Sequence, residues 1–266
     1  MQSLSSRPTT TQRFRAFRVI MALVLREVSM SNGKTLLGYV WEIADPVATI
    51  LVITLIMGLY FRTPPLGQSF PLFYASGILP MSFFLDMTGK VSGAIRFSRP
   101  LLGYPGVTFL DALIARFLVS LMTKLVIFVV VLTAIVELYD LRPFFNYEQI
   151  ATGLLMAFLL GLSVGTLNCL LFAFLPLYDR FWSMLTRPLF LFSAIIYLFE
   201  TVPLPYRDWL WWNPIIHMVG SIRGGIYPTY NNDYVSVTYV AILIAVTLPT
   251  SLFFMRRFWR EILDQP

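Results

Sequence analysis

The side chains able to do chemistry are few, and their scarcity excludes most catalysis. His217 is the only histidine and Cys169 the only cysteine, so a histidine relay, an internal disulfide and a cysteine metal cluster are all out of reach within the chain. His217 has no carboxylate at ligand spacing and reads as a hydrogen-bonded structural residue. Cys169 lies in an apolar run and reads as a small buried hydrophobe. Asn32-Gly33-Lys34-Thr35 ends like a phosphate-binding loop, yet Val28 stands where its first glycine belongs and no strand pattern precedes it. Acyl-transfer triads and dinucleotide fingerprints are missing too. The chain is expected not to be an enzyme, and any ATP hydrolysis that drives it belongs to another chain.

Ionisable residues inside apolar runs carry more information, because each costs about 2.5–3.5 kcal/mol to insert at the centre of a bilayer helix. Asp86 and Lys90 stand four apart and can neutralise each other on one helix face. Arg116, Ser120 and Lys124 follow at four-residue steps and form a cationic stripe. Two readings of that stripe stand: a track for an anionic cargo, or snorkelling by Arg116 with an interhelical bond from Lys124.

The elements that must position these groups are set by composition. The chain has 266 residues, 57% hydrophobic and 13% charged, with a mean hydropathy of +0.72; it has too little polar surface to coat a soluble globule and is expected to be an all-α integral membrane protein. Its net charge of +6 is split between apolar runs and forms no continuous basic face, so it speaks for topology and against a nucleic-acid partner. Six apolar runs approach the length that a bilayer core requires, near 46–61, 71–95, 110–136, 147–174, 182–199 and 235–255. Lysine and arginine number six, three, two and three in the N-terminal segment, the 96–116 loop, the 175–188 loop and the tail, against four in the alternate loops. Both termini are therefore expected in the cytoplasm. Gly161 to Gly165, and Gly89 to Gly93, fit close helix packing.

The organisation that follows is an unstructured stretch over 1–13, an interfacial helix and elbow over 14–45, a transmembrane domain over 46–255 and a cytoplasmic tail over 256–266. Phe17, Ile20, Met21, Val24, Leu25 and Val28 recur at helical spacing opposite Arg15, Arg18 and Arg26, as in a helix lying in the headgroup plane. Arg26 would interrupt the apolar core of a signal peptide, so no cleaved leader is expected. In Leu36 to Pro46 the chain passes from the bilayer surface into its core: Tyr39 and Trp41 suit headgroup level, Gly38 permits close approach, and Pro46 suits the first turn of a new helix. Phe97 to Gly106 is a proline-bounded loop whose Leu101, Leu102 and Tyr104 suit a partner's groove. Residues 200–234 hold Trp209, Trp211 and Trp212 and two short apolar pieces broken by proline and glycine, which read as a re-entrant hairpin. Those aromatics serve either passing sugar rings or an interfacial belt.

The amphipathic N-terminal helix, Leu37-Gly38-Tyr39-Val40-Trp41 through Pro46, the six spans, the proline-flanked loop and Asn213-Pro214 to Arg223 together resemble the membrane subunit of ABC exporters for polysaccharides, with an ABC-2 type permease fold. Within that group the pattern is similar to capsule polysaccharide permeases of the KpsM type, relatives of the O-antigen permease Wzm. The resemblance implies a homodimer in the bacterial inner membrane, bound to two copies of a separate ATPase that holds ATP and Mg. It implies no cofactor in this chain, and export of a lipid-linked capsular polysaccharide from the cytoplasm. Gly38, Trp41, Glu42 and Pro46 of the elbow and Arg99, Pro100, Leu102, Tyr104 and Pro105 of the loop would then meet the ATPase. Tyr60 and Phe61 of the first span and Phe192, Tyr197 and Phe199 of the fifth would line the channel, with Arg116 and Lys124 joining them for an acidic polymer. A periplasmic co-polymerase and an outer-membrane polysaccharide export protein would complete the path. An O-antigen or other glycolipid exporter is the alternative; an ion-coupled carrier stands further off, since it needs titratable groups across several spans.

Overall fold

The computed structural model describes residues 10–31, 37–102, 108–175, 177–258 and 261–262. The helices run in the order α1 (Thr10–Ser31), α2 (Leu37–Tyr60), α3 (Phe70–Ser92), α4 (Ala94–Leu102), α5 (Phe109–Leu138), α6 (Tyr147–Phe174), α7 (Tyr178–Leu191), α8 (Tyr206–Trp211), α9 (Pro214–Ile226) and α10 (Val237–Arg257), with one 3-10 turn at Phe199–Thr201 before α8. Short polar side chains start the long elements. Thr108 and Asp111 form a reciprocal capping box on α5, Asn146 accepts from the N–H groups of Glu148 and Gln149 on α6, and Ser236 accepts from Tyr239 on α10. Each closes donors that a helix start leaves open.

Five helices among the described residues are long and apolar enough to cross a membrane: Val40–Tyr60 of α2, and α3, α5, α6 and α10. The sixth apolar stretch, 182–199, behaves differently. α7 stops after 14 residues with Pro188 inside it, and the chain then turns through 192–198 with Ala194 at φ +53°. Proline removes a helical donor and crowds the preceding turn, and the carbonyls beyond it are taken by a side chain described below instead of by the next helical turn.

α3 is the centre of the bundle, buried along most of its length and packed on α2, α5, α6 and α9. Its approach to α6 depends on two glycines: a Cβ built on Gly161 would lie 2.8 Å from Met87 Cβ, and one on Gly165 would lie 2.8 Å from Val91 Cβ. The other glycine pair does not pack this way. Gly89 faces open space, and Gly93 marks the junction where α3 ends and α4 begins. Phe83 stacks on Phe158 of α6 and meets Phe128 of α5 edge-on, which locks three helices together. α2 and α10 keep their apolar faces largely exposed within the single chain.

The elbow differs from its expected form. Residues 32–36, between α1 and α2, lie outside the described residues, and α2 runs without interruption from Leu37 to Tyr60. Pro46 is therefore buried inside α2 and is not at the first turn of a new helix. An interior proline forfeits one hydrogen bond, and continued packing of α2 against α3 carries the helix past it.

Candidate functional site

Two polar assemblies sit at opposite ends of the bundle. At the end that bears α1 and α4, six ionised side chains from four helices meet. Lys90 of α3 lies 3.1 Å from Glu42 of α2 and 3.0 Å from Asp86 one turn earlier. Lys124 of α5 approaches the other oxygen of Asp86 at 3.6 Å, and Ser120 Oγ donates to Asp86 Oδ2 at 2.8 Å. Arg116 donates from its guanidinium to the Lys90 carbonyl at 2.7 Å and stands 3.3 Å from Glu27 of α1. Its angle to Glu27 is too bent for a hydrogen bond, so that contact is ionic. Arg116 also lies over the Phe97 ring of α4, 4.1 Å from its centroid. α1, α2, α3 and α5 are thus tied through one connected polar set, which α4 joins through the Phe97 ring.

The Asp86–Lys90 pair forms as its spacing predicts. The stripe of Arg116, Ser120 and Lys124 is also on one face, with each of its two cations beside a carboxylate. Lys90, Arg116 and Lys124 face Glu27, Glu42 and Asp86, so these six charges balance one another, and Arg26 adds a further cation over the Phe97 ring at 5.3 Å. Insertion into a low-dielectric setting is the reason, since unpaired charge there is far costlier than paired charge. Lys124 is buried against its partner.

At the opposite end lies Arg223 of α9, fully buried. It donates to the carbonyls of Ala194 and Ile195 at 2.7 Å each and of Tyr197 at 3.0 Å, and reaches Ser76 Oγ of α3 at 3.4 Å. The Phe73 ring covers it at 4.3 Å. These carbonyls belong to the turn that follows α7, where no next helical turn supplies donors, and Arg223 serves them instead. The planar fork of a guanidinium suits this task, whereas a lysine has a single donor centre.

His217 sits beside it with both ring nitrogens engaged: Nδ1 accepts from the Ser236 N–H at 3.1 Å, which leaves Nε2–H to donate to the Trp211 carbonyl at 2.9 Å. It is the structural histidine that its isolation predicts. Trp211 donates from Nε1 to the Tyr234 carbonyl and packs against His217 and Tyr239. Tyr230 donates to Glu200 and meets the Tyr234 hydroxyl at 3.0 Å. Burial first, then Tyr234 and Glu200, push the Tyr230 phenol well up; burial pushes that of Tyr234 up to about 12.

The remaining residues singled out from sequence fall at several places. Gly38 and Trp41 stand in the first turns of α2, where Trp41 is 72% exposed and open to a partner. Glu42 is drawn into the charge network instead. Arg99, Pro100 and Leu102 belong to α4, and Tyr104 and Pro105 lie outside the described residues. Tyr60, Phe61 and Phe192 are exposed at the ends of α2 and α7. Phe199 is buried against Tyr234, Tyr197 lends its carbonyl to Arg223, and Trp209 and Trp212 are exposed. Glu27 and Arg223 were missed as functional groups. An arginine among Ile215 to Ile226 was the available signal for one, while nothing local marks the other.

No family model matches the chain. Similarity to individual proteins is nevertheless nearly end to end. The polysialic acid transport protein KpsM of Escherichia coli is 29% identical over 86% of this chain and 89% of its own length. The chain is a homologue of capsule polysaccharide export proteins of the inner membrane. The capsule polysaccharide export inner-membrane protein CtrC of Neisseria meningitidis is 25% identical over 93% of this chain and 94% of its own. The corresponding protein BexB of Haemophilus influenzae is 21% identical over the same shares.

Proposed function

We propose that this chain is the membrane-spanning permease subunit of an ATP-driven exporter that carries a lipid-linked capsular polysaccharide out of the cytoplasm. A separate ATPase, with its own ATP and Mg, supplies the energy, and the chain works as a homodimer with six spans per subunit, both termini in the cytoplasm. In this reading α7 with the turn after it makes the fifth, interrupted crossing, and α8 with α9 forms the re-entrant hairpin. The observation that carries the reading is the nearly end-to-end likeness to a polysialic acid transport protein and to inner-membrane capsule polysaccharide export proteins of two types. The cytoplasmic charge network supports it, because an ATPase pressing on α4 or the start of α2 would act on helices already joined to α3 and α5.

Two segments of the ATPase-facing surface follow: Gly38 and Trp41 at the start of α2, and Arg99, Pro100 and Leu102 of α4 with Tyr104 and Pro105 beyond it. Exposed aromatic anchors of the Trp41 kind are what protein interfaces use. A periplasmic co-polymerase and an outer-membrane export protein would receive the polymer. Deletion of the gene should abolish surface polysaccharide, and the chain should co-purify with a nucleotide-hydrolysing subunit. Normal surface polymer in the deletion strain would refute the export role.

A further inference from the structure

Resting on the export reading, we infer that two adjoining polar clefts at the α9 end form a saccharide-binding site for sugar units that carry no carboxylate. The first cleft, about 270 Å³, lies between the 3-10 turn, α8 and the 231–234 turn. Phe199, Trp211 and Tyr234 supply its apolar wall, and Glu200, Asp208 and Arg207 its polar one. The second, about 350 Å³, lies between the start of α6, α9 and the same turn, and is lined mainly by amides, hydroxyls and two carboxylates, Glu148 and Asp233. Asp233 lines both, so the two open side by side.

The chemistry of the lining is that of sugar recognition. Carboxylates, amides and a guanidinium exchange hydrogen bonds with hydroxyl pairs, while aromatic walls cover the apolar faces of pyranose rings. Both clefts are built. Glu200 is oriented by the Tyr230 hydroxyl, Trp211 by its bond to the Tyr234 carbonyl, and the turn by the Asp233 N–H donating to Asn231 Oδ1 at 3.1 Å. On the α9 side, Ser221 Oγ donates to the Gln149 carbonyl, and Gln149 Oε1 is buried with no hydrogen-bond donor. Among the described residues the carboxylates do not converge into a metal-ligand group.

Charge decides the class of sugar. Glu148, Glu200, Asp208 and Asp233 line the pair against Arg207 alone, so a polyanion would meet net repulsion in a recess that focuses the field. Neutral rings keep the hydrogen bonds without that opposition. A basic peptide from a partner would also suit the charge, but it would leave the aromatic wall and the amide-rich recess without a matching surface.

The test is binding of the full chain, labelled and held in lipid nanodiscs, to a printed array of neutral, amino-sugar and uronic- or sialic-acid oligosaccharides. Neutral glycans should be retained, and Asp233→Ala should weaken retention on the order of fivefold, as expected for one lost hydrogen bond. Asp208→Asn, an isosteric change at an exposed position, should weaken the same glycans and narrow the gap to acidic ones. A blank array, a preference for acidic glycans, or retention unchanged by both variants would overturn the site; a blank array would leave the clefts to a protein partner. Measuring ATP-dependent export of the same protein separates the two readings: export with no glycan retention sinks only the site, and absence of export sinks the function beneath it.

Discussion

At the α1 end, three cations and three carboxylates from four helices each lie within 4 Å of a partner; at the α9 end, no carboxylate among the described residues is within ion-pair distance of Arg223, which rests on three carbonyls, a hydroxyl and a ring. The first arrangement is a set of pairs whose members can be exchanged while the charges still balance. Lys90, Glu42 and Asp86 keep about a fifth of their side-chain surface exposed, so shifts between α1, α2 and α3 can be accommodated. The second is a single fork fixed to one backbone geometry. A transporter needs both: a compliant set of contacts where force enters, and a fixed point where an interrupted helix must hold its shape.

Several substitutions would break that contrast if it is wrong. The largest effect is expected for Arg223→Met, which strands the carbonyls of Ala194, Ile195 and Tyr197. A buried carbonyl left without a donor costs about 1–3 kcal/mol, and three are stranded together here, read as a fall in the thermal midpoint of the protein in detergent. Arg223→Lys should recover only part of it, because one ammonium cannot span the three acceptors; full recovery would show that charge and not the fork matters. Next comes Asp86→Asn, which leaves Lys124 facing a neutral amide while Lys90 keeps Glu42, at about 1–3 kcal/mol. Adding Lys124→Met should return part of the loss, since the uncompensated cation is then gone. A double-mutant cycle showing no coupling between 86 and 124 would dissolve the network at that link.

Smaller effects sharpen the picture. Gly161→Val should cost about 1–3 kcal/mol by pressing on Met87, whereas Gly89→Val, with open space around its Cβ, should be nearly silent. The matched pair is checked by thermal midpoints and by protease sensitivity. The charge swap Glu42→Lys with Lys90→Glu should recover only part of the stability that either single change loses, since it keeps the 42–90 pair but sets a carboxylate at 90 against Asp86 one turn earlier; no equivalent exchange exists for Arg223. Last, Trp41→Ala should change stability by less than about 0.5 kcal/mol, as surface changes do, and yet reduce surface polysaccharide. Normal polymer levels with this variant would remove Trp41 from the coupling surface.

Much of the architecture was legible in residue order. Apolar runs with Thr108, Asn146 and Ser236 before them are helices because those side chains close the first backbone donors, and Gly161 with Gly165 pack because their spacing repeats on one face. Asp86 with Lys90 was legible for the same reason. Glu42 with Lys90, and Glu27 with Arg116, were not, because partners 48 and 89 residues apart meet only after the helices have packed. Residues 182–199 counted as one run because hydropathy does not register a turn whose carbonyls are served from another helix. Arg223 reads from sequence as one more cation in a loop between spans for a related reason: its partners are mostly backbone atoms, which no residue type announces. Pro46 misled in the other direction, since a proline that begins a helix and one tolerated inside it look alike until packing is known.

The most direct test of the account is reconstitution. The purified chain is placed in proteoliposomes carrying lipid-linked polysaccharide, alone or with the ATPase subunit that co-purifies with it, and appearance of polymer on the far side is followed after addition of ATP. Polymer should cross only when both the ATPase and hydrolysable ATP are present. Transfer by the chain alone, driven by an ion gradient or by nothing, would contradict it.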